Sequence, residues 1–209
     1  MLLFENVRKS YDKQQILEIT NLKLDRNIYW LQGINGSGKT TFLSMLAGLI
    51  PFKGNILLDG INLRRDPLSY RRLVNFAEAE PLYPDFITGL ELMGLYKNIR
   101  KASAVQTDHL TNLFKMHRFL SLPIGNYSSG MVKKLSLLLA FIGKPSLILL
   151  DEPLATLDED SIQILPDLIN AYHKELKTCF IFSSHQHFKS YSLSINKLLI
   201  TDKSLQFIT

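Results

Sequence analysis

The stretch that most constrains this chain runs from Gly33 to Thr41 and reads Gly-Ile-Asn-Gly-Ser-Gly-Lys-Thr-Thr. It matches the phosphate-binding loop pattern G-x-x-x-x-G-K-[ST] without a gap. Glycines in such a loop allow positive φ and close backbone approach, so that successive N–H groups converge on phosphate oxygens. The pattern places the ammonium of Lys39 against the β- and γ-phosphates of a nucleotide and makes the Thr40 hydroxyl a ligand for Mg²⁺.

The residues on either side of this loop favour the same interpretation. Ile28 to Leu31 is a short apolar run that predicts a strand, and Thr41 to Gly48 predicts a helix whose N-terminal dipole favours an anion. With a strand before and a helix after, a glycine-rich turn that matches by chance is the weaker alternative. The candidate phosphate-contacting residues are Gly33, Ile34, Asn35, Gly36, Ser37, Gly38, Lys39, Thr40 and Thr41.

Composition and charge exclude several other classes of protein. With 209 residues, 46% hydrophobic and 21% charged, the chain is expected to be one globular domain, residues 1–209, without a membrane span. Its N-terminus has no basic region before the apolar residues, so we expect no signal peptide. The single Cys179 excludes an internal disulfide. A net charge of +5 does not choose among a polyanionic ligand, a membrane surface and nucleic acid.

The rest of the chain predicts strands on both sides of a helical insert at about 82–142. Thr88 and Glu91 form a capping-box pattern at the start of one helix, and further helices are predicted at about Thr107–Phe119 and Gly130–Ile142. The predicted strand segments are 2–8, 14–24, 28–31, 56–61 (two strands joined by an Asp59-Gly60 turn), 74–77, 147–150, 178–184, 198–201 and 205–208.

Polar residues at the ends of two predicted strands are candidate active-site residues. Four branched aliphatic residues, 147–150, predict a strand buried on both faces, and Asp151 and Glu152 follow it directly. An Asp at the carboxyl end of such a strand suits the Mg²⁺ of a nucleotide. Glu152, one residue on, is placed to orient or deprotonate an attacking water. His185 ends the strand at 178–184 and is expected to face the same crevice.

Two weaker features complete the pattern. Tyr11 lies 28 residues before Lys39, where an aromatic ring can stack on a purine, although a tyrosine taken alone is more often an ordinary surface or core residue. Tyr127 to Met131 places small residues at a helix N-terminus, which suits an anion but also describes an ordinary serine cap.

The order of these stretches resembles an ATP-binding cassette (ABC) ATPase from Tyr11 to His185, and Gly130 lies 21 residues before Asp151, unlike the spacing in nucleotide kinases or small GTPases. The resemblance implies an α/β fold with a P-loop NTPase core, an antiparallel β subdomain and an inserted helical subdomain at about 82–142. The resemblance implies that Tyr11 stacks on adenine, that Asp151 binds Mg²⁺, that Glu152 is the catalytic base and that His185 senses the γ-phosphate. It also assigns three motifs: the Walker A loop to Gly33–Thr41, the signature to Ser128, Ser129 and Gly130, and the D-loop to Ala155–Asp158.

The resemblance also implies a function and partners. The chain would bind ATP and Mg²⁺, hydrolyse ATP in a homodimer or heterodimer of nucleotide-binding domains, and drive transport, with export favoured, through a separate transmembrane permease subunit. It would be cytoplasmic, peripheral on the inner face of the cell membrane, and no nucleic-acid partner is expected. The alternatives are a cassette protein that acts on the ribosome, on DNA or in cofactor assembly, and a degenerate nucleotide-binding module without turnover.

The chain departs from the family pattern in two places. The signature is usually Leu-Ser-Gly-Gly-Gln, whereas here only Ser128 and Gly130 are retained. The glutamine that normally follows the strand at 74–77 is replaced by Glu78, counting back from Pro84, or by Ala79, counting from the strand. Glu78 could bind Mg²⁺ there, and Ala79 could not.

We predict that Glu78→Gln leaves ATP hydrolysis intact but lowers the Mg²⁺ dependence of dimer closure, because a carboxylate is a harder ligand for Mg²⁺ than an amide. Glu78→Ala should impair partner-stimulated activity more than basal activity. The measurement is the ATPase rate against Mg²⁺ concentration, with and without the membrane subunit. Superimposable curves for the wild type and both variants would mean that Glu78 is a solvated surface acid.

Overall fold

In the computed structural model, which describes residues 1–185 and 194–208, the chain forms two β-sheets and a set of helices packed against them. The strands are β1 (Leu2–Tyr11), β2 (Gln14–Leu24), β3 (Ile28–Gln32), β4 (Lys53–Leu58), β5 (Ile61–Asn62), β6 (Val74–Ala77), β7 (Leu147–Asp151), β8 (Cys179–Ser183), β9 (Ile195–Thr201) and β10 (Ser204–Ile208). The helices are α1 (Lys39–Leu46), α2 (Pro67–Leu73), α3 (Gly89–Arg100), α4 (Ala104–Leu113), α5 (Ser129–Ala140) and α6 (Glu159–Leu176).

The larger sheet has the strand order β10-β9-β3-β8-β7-β6, in which β9, β3, β8, β7 and β6 run parallel and β10 is antiparallel. Every residue of β7 and β8 is buried. Alternate side chains of β7 enter two different cores: Leu147 and Leu149 pack with α1 and the smaller sheet, whereas Ile148 and Leu150 pack with α5 and α6. Because both faces of these strands are covered, their sequences are almost uniformly apolar.

The smaller sheet is antiparallel, with the order β2-β1-β4-β5. Helices α3, α4 and α5 lie between β6 and β7 in the sequence and bury their apolar side chains in the second core. The predicted α/β fold, with an antiparallel β subdomain and an inserted helical subdomain, is therefore confirmed. Among the described residues, no helix combines the length and the apolar character that crossing a bilayer requires.

The predicted helices at Thr41–Gly48 and Gly130–Ile142 are shifted by one or two residues, and a third has a larger boundary error. The expected helix at Thr107–Phe119 is α4, which begins at Ala104 and ends at Leu113. It starts earlier because the Ser103 hydroxyl accepts a hydrogen bond from the Gln106 N–H and so caps it. It stops because Phe114 leaves the helical conformation and Lys115 follows with φ of +54°. Leu110 and Phe114 nevertheless both point into the core, as the periodicity indicated.

Two helices carry no sequence prediction. Helix α2 begins at Pro67 after a cap in which Asp66 accepts from the Ser69 N–H, and Asp-Pro is a recognisable helix start. Helix α6 is the longest in the described residues, with 18, and contains Pro166 in its interior. Proline lacks the N–H of a helical hydrogen bond and normally breaks a helix, so it hides the amphipathic pattern of α6.

We predict that Leu149→Ala lowers the free energy of unfolding by about 2–5 kcal/mol, because it opens a cavity at a fully buried position of a central strand. Leu68→Ala in α2 is the matched control, since the Leu68 side chain is 70% exposed. Urea denaturation followed by circular dichroism measures both. Equal effects of the two substitutions would contradict the assignment of β7 to the centre of the core.

Candidate functional site

The candidate site lies at one edge of the parallel sheet. Strands β3, β8 and β7 are adjacent and parallel, so their carboxyl ends meet there. The glycine-rich loop follows β3, Asp151 ends β7, and Ser183 ends β8 two residues before His185. Asp151 and Ser183 are register partners across the two strands. The fold therefore brings together the loop, the two acids and the histidine that the sequence predicted separately.

The glycine-rich loop has a backbone that side chains would disturb. Gly38 caps α1 with φ of +104°, a conformation that L residues rarely adopt. At Gly33, a Cβ atom would lie 2.4 Å from the Ser37 hydroxyl and 2.9 Å from the Ile200 carbonyl oxygen. The loop therefore folds tightly on itself and presents backbone N–H groups at the start of α1, the arrangement that binds phosphate.

Lys39 is the first residue of α1, and its side chain reaches back over the loop. Its ammonium donates to the carbonyl oxygens of Gly33 at 2.8 Å and of Ile34 at 3.2 Å. Both acceptors belong to the loop itself, so the side chain curls over the loop instead of extending into solvent. A positive charge is thus held beside the N–H groups of the loop, and the two together suit a polyphosphate.

Asp151 is a buried carboxylate with one fixed and one unused oxygen. Its Oδ1 accepts a 2.5 Å hydrogen bond from the Ser183 hydroxyl, while its Oδ2 is buried and has no hydrogen-bond partner in the structure. An unpaired buried carboxylate oxygen is costly unless a cation or a donor meets it. The residues therefore fit a Mg²⁺ ion, which proteins hold through one or two carboxylates together with phosphate oxygens and water.

Within the described residues, no group of three or more His, Cys, Asp and Glu side chains could hold a metal ion. A cation bound by Asp151 would therefore need ligands of other kinds, such as hydroxyl or phosphate oxygens. The sequence predicts such ligands in the Thr40 hydroxyl and a nucleotide.

Glu152 and His185 contact each other. One carboxylate oxygen of Glu152 accepts from the His185 backbone N–H at 3.3 Å, and the other lies 3.5 Å from the His185 Nε2 atom. Glu152 has φ of +45°, a left-handed conformation that is uncommon outside glycine. The Ser183 hydroxyl accepts from the Glu152 N–H at 3.0 Å and so stabilises this turn. The Glu152 carboxylate is held where an attacking water could be activated.

Ser183 and Lys133 are site residues that sequence reasoning missed. Ser183 bridges the two acids, because its hydroxyl donates to Asp151 and accepts from the Glu152 N–H. Lys133 is 1% exposed, and its ammonium donates to the carbonyl oxygens of Glu78, Ala79 and Asp151. Burial lowers its pKa to about 8, while the nearby carboxylates of Asp151, Glu152 and Glu78 oppose that shift. The one sequence signal for either residue is that Ser183 is a polar residue near the end of the predicted strand at 178–184.

The segment at Ser128–Gly130 lies against the loop that follows Glu152. Ser128 caps α5 by accepting from the Met131 N–H at 3.3 Å. A Cβ atom on Gly130 would lie 2.8 Å from the Thr156 carbonyl oxygen, so only glycine permits this approach. Ser129 is the first residue of α5.

Asp158 ends the loop and caps α6. It accepts from the Ser161 N–H at 3.0 Å and from the Lys134 ammonium of α5 at 2.5 Å. The Lys134 hydrogen bond is the largest cause of a pKa of about 2 for Asp158. The expected signature and D-loop residues are therefore joined to one another through the start of α5.

Tyr11 and Glu78 lie at the margins of the site. Tyr11 ends β1, its ring is 48% exposed, and the Lys9 ammonium lies 4.3 Å from the ring centre. Its hairpin approaches the glycine-rich loop through Ile16, whose side chain limits the space at Gly38. Glu78 is exposed, and the Lys133 contact is to its backbone.

Comparisons with known proteins agree on one family. A family model described as ABC transporter matches residues 17–155. The lantibiotic transport ATP-binding protein SrtF of Streptococcus pyogenes is 32% identical over 187 residues, which cover 88% of this chain and 80% of SrtF. The spermidine/putrescine import ATP-binding protein PotA of Fusobacterium nucleatum is 31% identical, and the match covers 90% of this chain and 52% of PotA.

A solved structure extends the comparison to the fold. It is the dimeric, post-hydrolysis state of an ATP-binding cassette bound to ADP and Pi, and it matches this chain with a TM-score of 0.85. The match covers 100% of this chain and 99% of that chain at 19% identity, which shows a shared fold.

We predict that Ser183→Ala lowers the free energy of unfolding by about 1–3 kcal/mol, because Asp151 Oδ1 and the Glu152 N–H both lose a buried partner. Ser204→Ala is the control, since within the described part of the chain the Ser204 hydroxyl bonds only in its own hairpin, to the Thr201 carbonyl and the Gln206 side chain. Chemical denaturation of both variants is the measurement. A change at Ser183 no larger than at Ser204 would show that the hydroxyl does not hold the two acids.

Proposed function

The chain belongs to the ABC transporter family as an ATP-binding cassette subunit, and from that premise we propose that it binds and hydrolyses ATP to drive transport through a separate membrane protein. The single observation that carries the proposal is the arrangement at the sheet edge. There the Glu152 carboxylate is fixed by His185, beside a buried Asp151 and a glycine-rich loop with a lysine side chain folded over it. These are the parts that phosphoryl transfer to water requires.

ATP would lie along the glycine-rich loop. The N–H groups at the start of α1 and the Lys39 ammonium would neutralise the phosphates, since Gly38 caps the helix and the ammonium lies 2.8 Å from the Gly33 carbonyl oxygen of the same loop. Tyr11 would stack on the base, an assignment supported by its exposed ring on a hairpin that approaches the loop through Ile16. Mg²⁺, held by Asp151 and Thr40, would neutralise the charge that develops on the phosphoryl oxygens.

Glu152 would act as the general base. Water attacks the γ-phosphate in line with the leaving ADP oxygen, the O–P bond to water forms as the bond to ADP breaks, and Glu152 takes the proton of the water. His185 would keep the carboxylate oriented, because its backbone N–H and ring nitrogen face the two carboxylate oxygens. The imidazole of His185 would also serve as the sensor of the γ-phosphate.

A second nucleotide-binding domain would complete each site. Ser128, Ser129 and Gly130 form the N-terminus of α5, which favours an anion, but they lie against the Thr156 loop of their own chain. In a dimer this segment would face the ATP held by the other subunit, with Asp158 in the adjoining loop. The dimeric state of a structure with the same fold supports this arrangement.

The membrane protein would dock on an exposed apolar patch that we call the docking patch, residues Leu82, Phe86, Leu90 and Leu122. Leu82 is 92% exposed and Phe86 is 82% exposed, which is unusual for side chains of this size. Backbone hydrogen bonds from Leu90 to Leu120 and from Ile124 to Ile87 hold the two halves of the patch together. It directly follows the segment at 78–79, so a partner seated there would lie next to the site.

Export is the direction we propose. Export is supported by the short length of the chain, which spans only 52% of the polyamine import relative, and by the Ser-Ser-Gly-Met signature, which resembles that of small exporter-type ATPases. The chain would then be cytoplasmic and peripheral on the inner face of the membrane.

We predict that Glu152→Gln retains ATP binding, accumulates an ATP-bound dimer and loses turnover by about 10²–10⁴-fold, because an amide keeps the shape of the side chain but cannot accept the proton. Lys39→Ala is the paired variant and should abolish ATP binding at millimolar nucleotide. Calorimetry measures binding, phosphate release measures turnover, and gel filtration measures the dimer.

Wild-type turnover in Glu152→Gln would show that Glu152 is not the base. ATP binding without turnover in the wild-type protein would favour the degenerate nucleotide-binding module. Unchanged affinity in Lys39→Ala would remove the assignment of the phosphate loop.

A further inference from the structure

Helix α5 is attached to strand β6 at two points. At the start of the strand, the buried Asn75 amide donates to the carbonyl oxygens of Ala140 at 2.8 Å and Ile142 at 2.9 Å, at the end of the helix. Beyond the end of the strand, Lys133 donates to the carbonyl oxygens of Glu78 at 2.7 Å and Ala79 at 3.2 Å. The helix and the strand therefore run in opposite directions and are joined near both ends.

The two attachments span matched lengths. Seven helical residues separate Lys133 from Ala140, which is about 10 Å at the rise of an α-helix. Three extended residues separate Asn75 from Glu78, which is also about 10 Å. Sliding or pivoting of the helix along the strand would break the hydrogen bonds of one attachment. Helix α5 and β6 are therefore held together as one body.

Lys133 makes a third contact that joins this body to the site. Its ammonium donates to the Asp151 carbonyl oxygen at 2.8 Å, so each of its three N–H groups has an acceptor. The side chain is 1% exposed, so water cannot replace a lost acceptor. A charged donor in such surroundings makes stronger hydrogen bonds than a neutral one and loses more when they break. Lys133 thus fixes the spacing between the 78–79 segment and the end of β7.

The ends of this body lead to two functional surfaces. Past Ala79 the chain enters the docking patch at Leu82 and Phe86. In the opposite direction from Lys133, the first turn of α5 begins at Ser129 and carries the segment that would face ATP in a dimer. Lys133 lies one turn after the start of α5, and its ammonium contacts both the segment that leads to the docking patch and the end of β7.

We propose that Lys133 is a positioning residue that transmits displacement of the docking patch to the N-terminus of α5 and to Asp151. This inference rests on the proposed function for what the two surfaces bind. The mechanical link itself depends only on the hydrogen bonds of Lys133 and Asn75. A partner that pulls the 79–82 segment would move Ser128–Gly130 toward or away from the nucleotide of the other subunit, with no contact of its own to ATP.

The first test measures the link without nucleotide, by hydrogen–deuterium exchange of the full chain. Lys133→Met removes the three donors and keeps the length of the side chain, and Lys144→Met is the control at an exposed lysine. We expect exchange at residues 76–82 and 128–133 to rise about tenfold or more in Lys133→Met, as loss of charge-assisted hydrogen bonds implies. Peptides of α1 should be unchanged, and Lys144→Met should match the wild type.

Unchanged exchange at 76–82 in Lys133→Met, or an equal rise throughout the chain, would overturn the proposal. If Lys133→Met does not fold, Lys133→Gln is measured in its place. Glutamine keeps two donors on a shorter side chain, so a smaller rise is expected at the same two segments, and its absence would also overturn the proposal.

The second test measures transmission. Leu82→Cys places a fluorophore in the docking patch, and labelling is selective because the other cysteine, Cys179, is buried. A non-hydrolysable ATP analogue with Mg²⁺ should shift the fluorescence in this background and in Leu82→Cys/Lys144→Met. In Leu82→Cys/Lys133→Met the shift should disappear at a concentration of the analogue that calorimetry shows to be saturating for that variant.

An equal shift with and without Lys133 would overturn transmission through this residue, and so would the absence of a shift in Leu82→Cys with the analogue bound. Failure of the analogue to bind in any background would instead reject the proposed function, and the exchange experiment would still decide whether Lys133 forms the link.

Discussion

Parallel pairing of three buried strands is the constraint on which this structure depends. Because β3, β8 and β7 run side by side in one direction, the loop after β3, the acids after β7 and the histidine after β8 all reach the same edge. Each strand is covered on both faces by side chains from two separate cores. This packing holds the three strands side by side, so the groups at their carboxyl ends lie together although they are distant in sequence.

Four of the polar residues buried in this interior lie at the site or on the elements next to it. Asp151, Ser183, Lys133 and Asn75 are all buried and linked by specific hydrogen bonds. Burying such groups is unfavourable unless they are paired, so each is better explained by what it positions than by the stability it adds. Ser183 orients the two acids. Lys133 and Asn75 attach α5 to β6. The Oδ2 atom of Asp151 is the buried carboxylate oxygen left for a cation.

The surface of the helical insert has a different character from the sheet edge. The docking patch exposes large apolar side chains, while the sheet edge presents charged groups and backbone N–H groups. One face thus suits an apolar partner and the other suits a polyphosphate. Helix α5 lies between them and is attached to the sheet by Lys133 and Asn75. The proposed function would use such a division, because the energy of ATP would have to reach a partner that does not contact the nucleotide.

Local sequence by itself determined the phosphate loop, the acids Asp151 and Glu152, and His185. Their chemistry resides in contiguous residues, and the apolar runs before them indicate buried strands. The antiparallel subdomain and the helical insert also followed from pattern and family resemblance. The tertiary structure alone decided the roles of Ser183 and Lys133, because their partners lie 18 to 55 residues away in sequence and become neighbours only when the sheet forms. It also decided helix α6, since Pro166 opposes a helix locally and the packing of Leu165 and Ile169 in the core outweighs that preference.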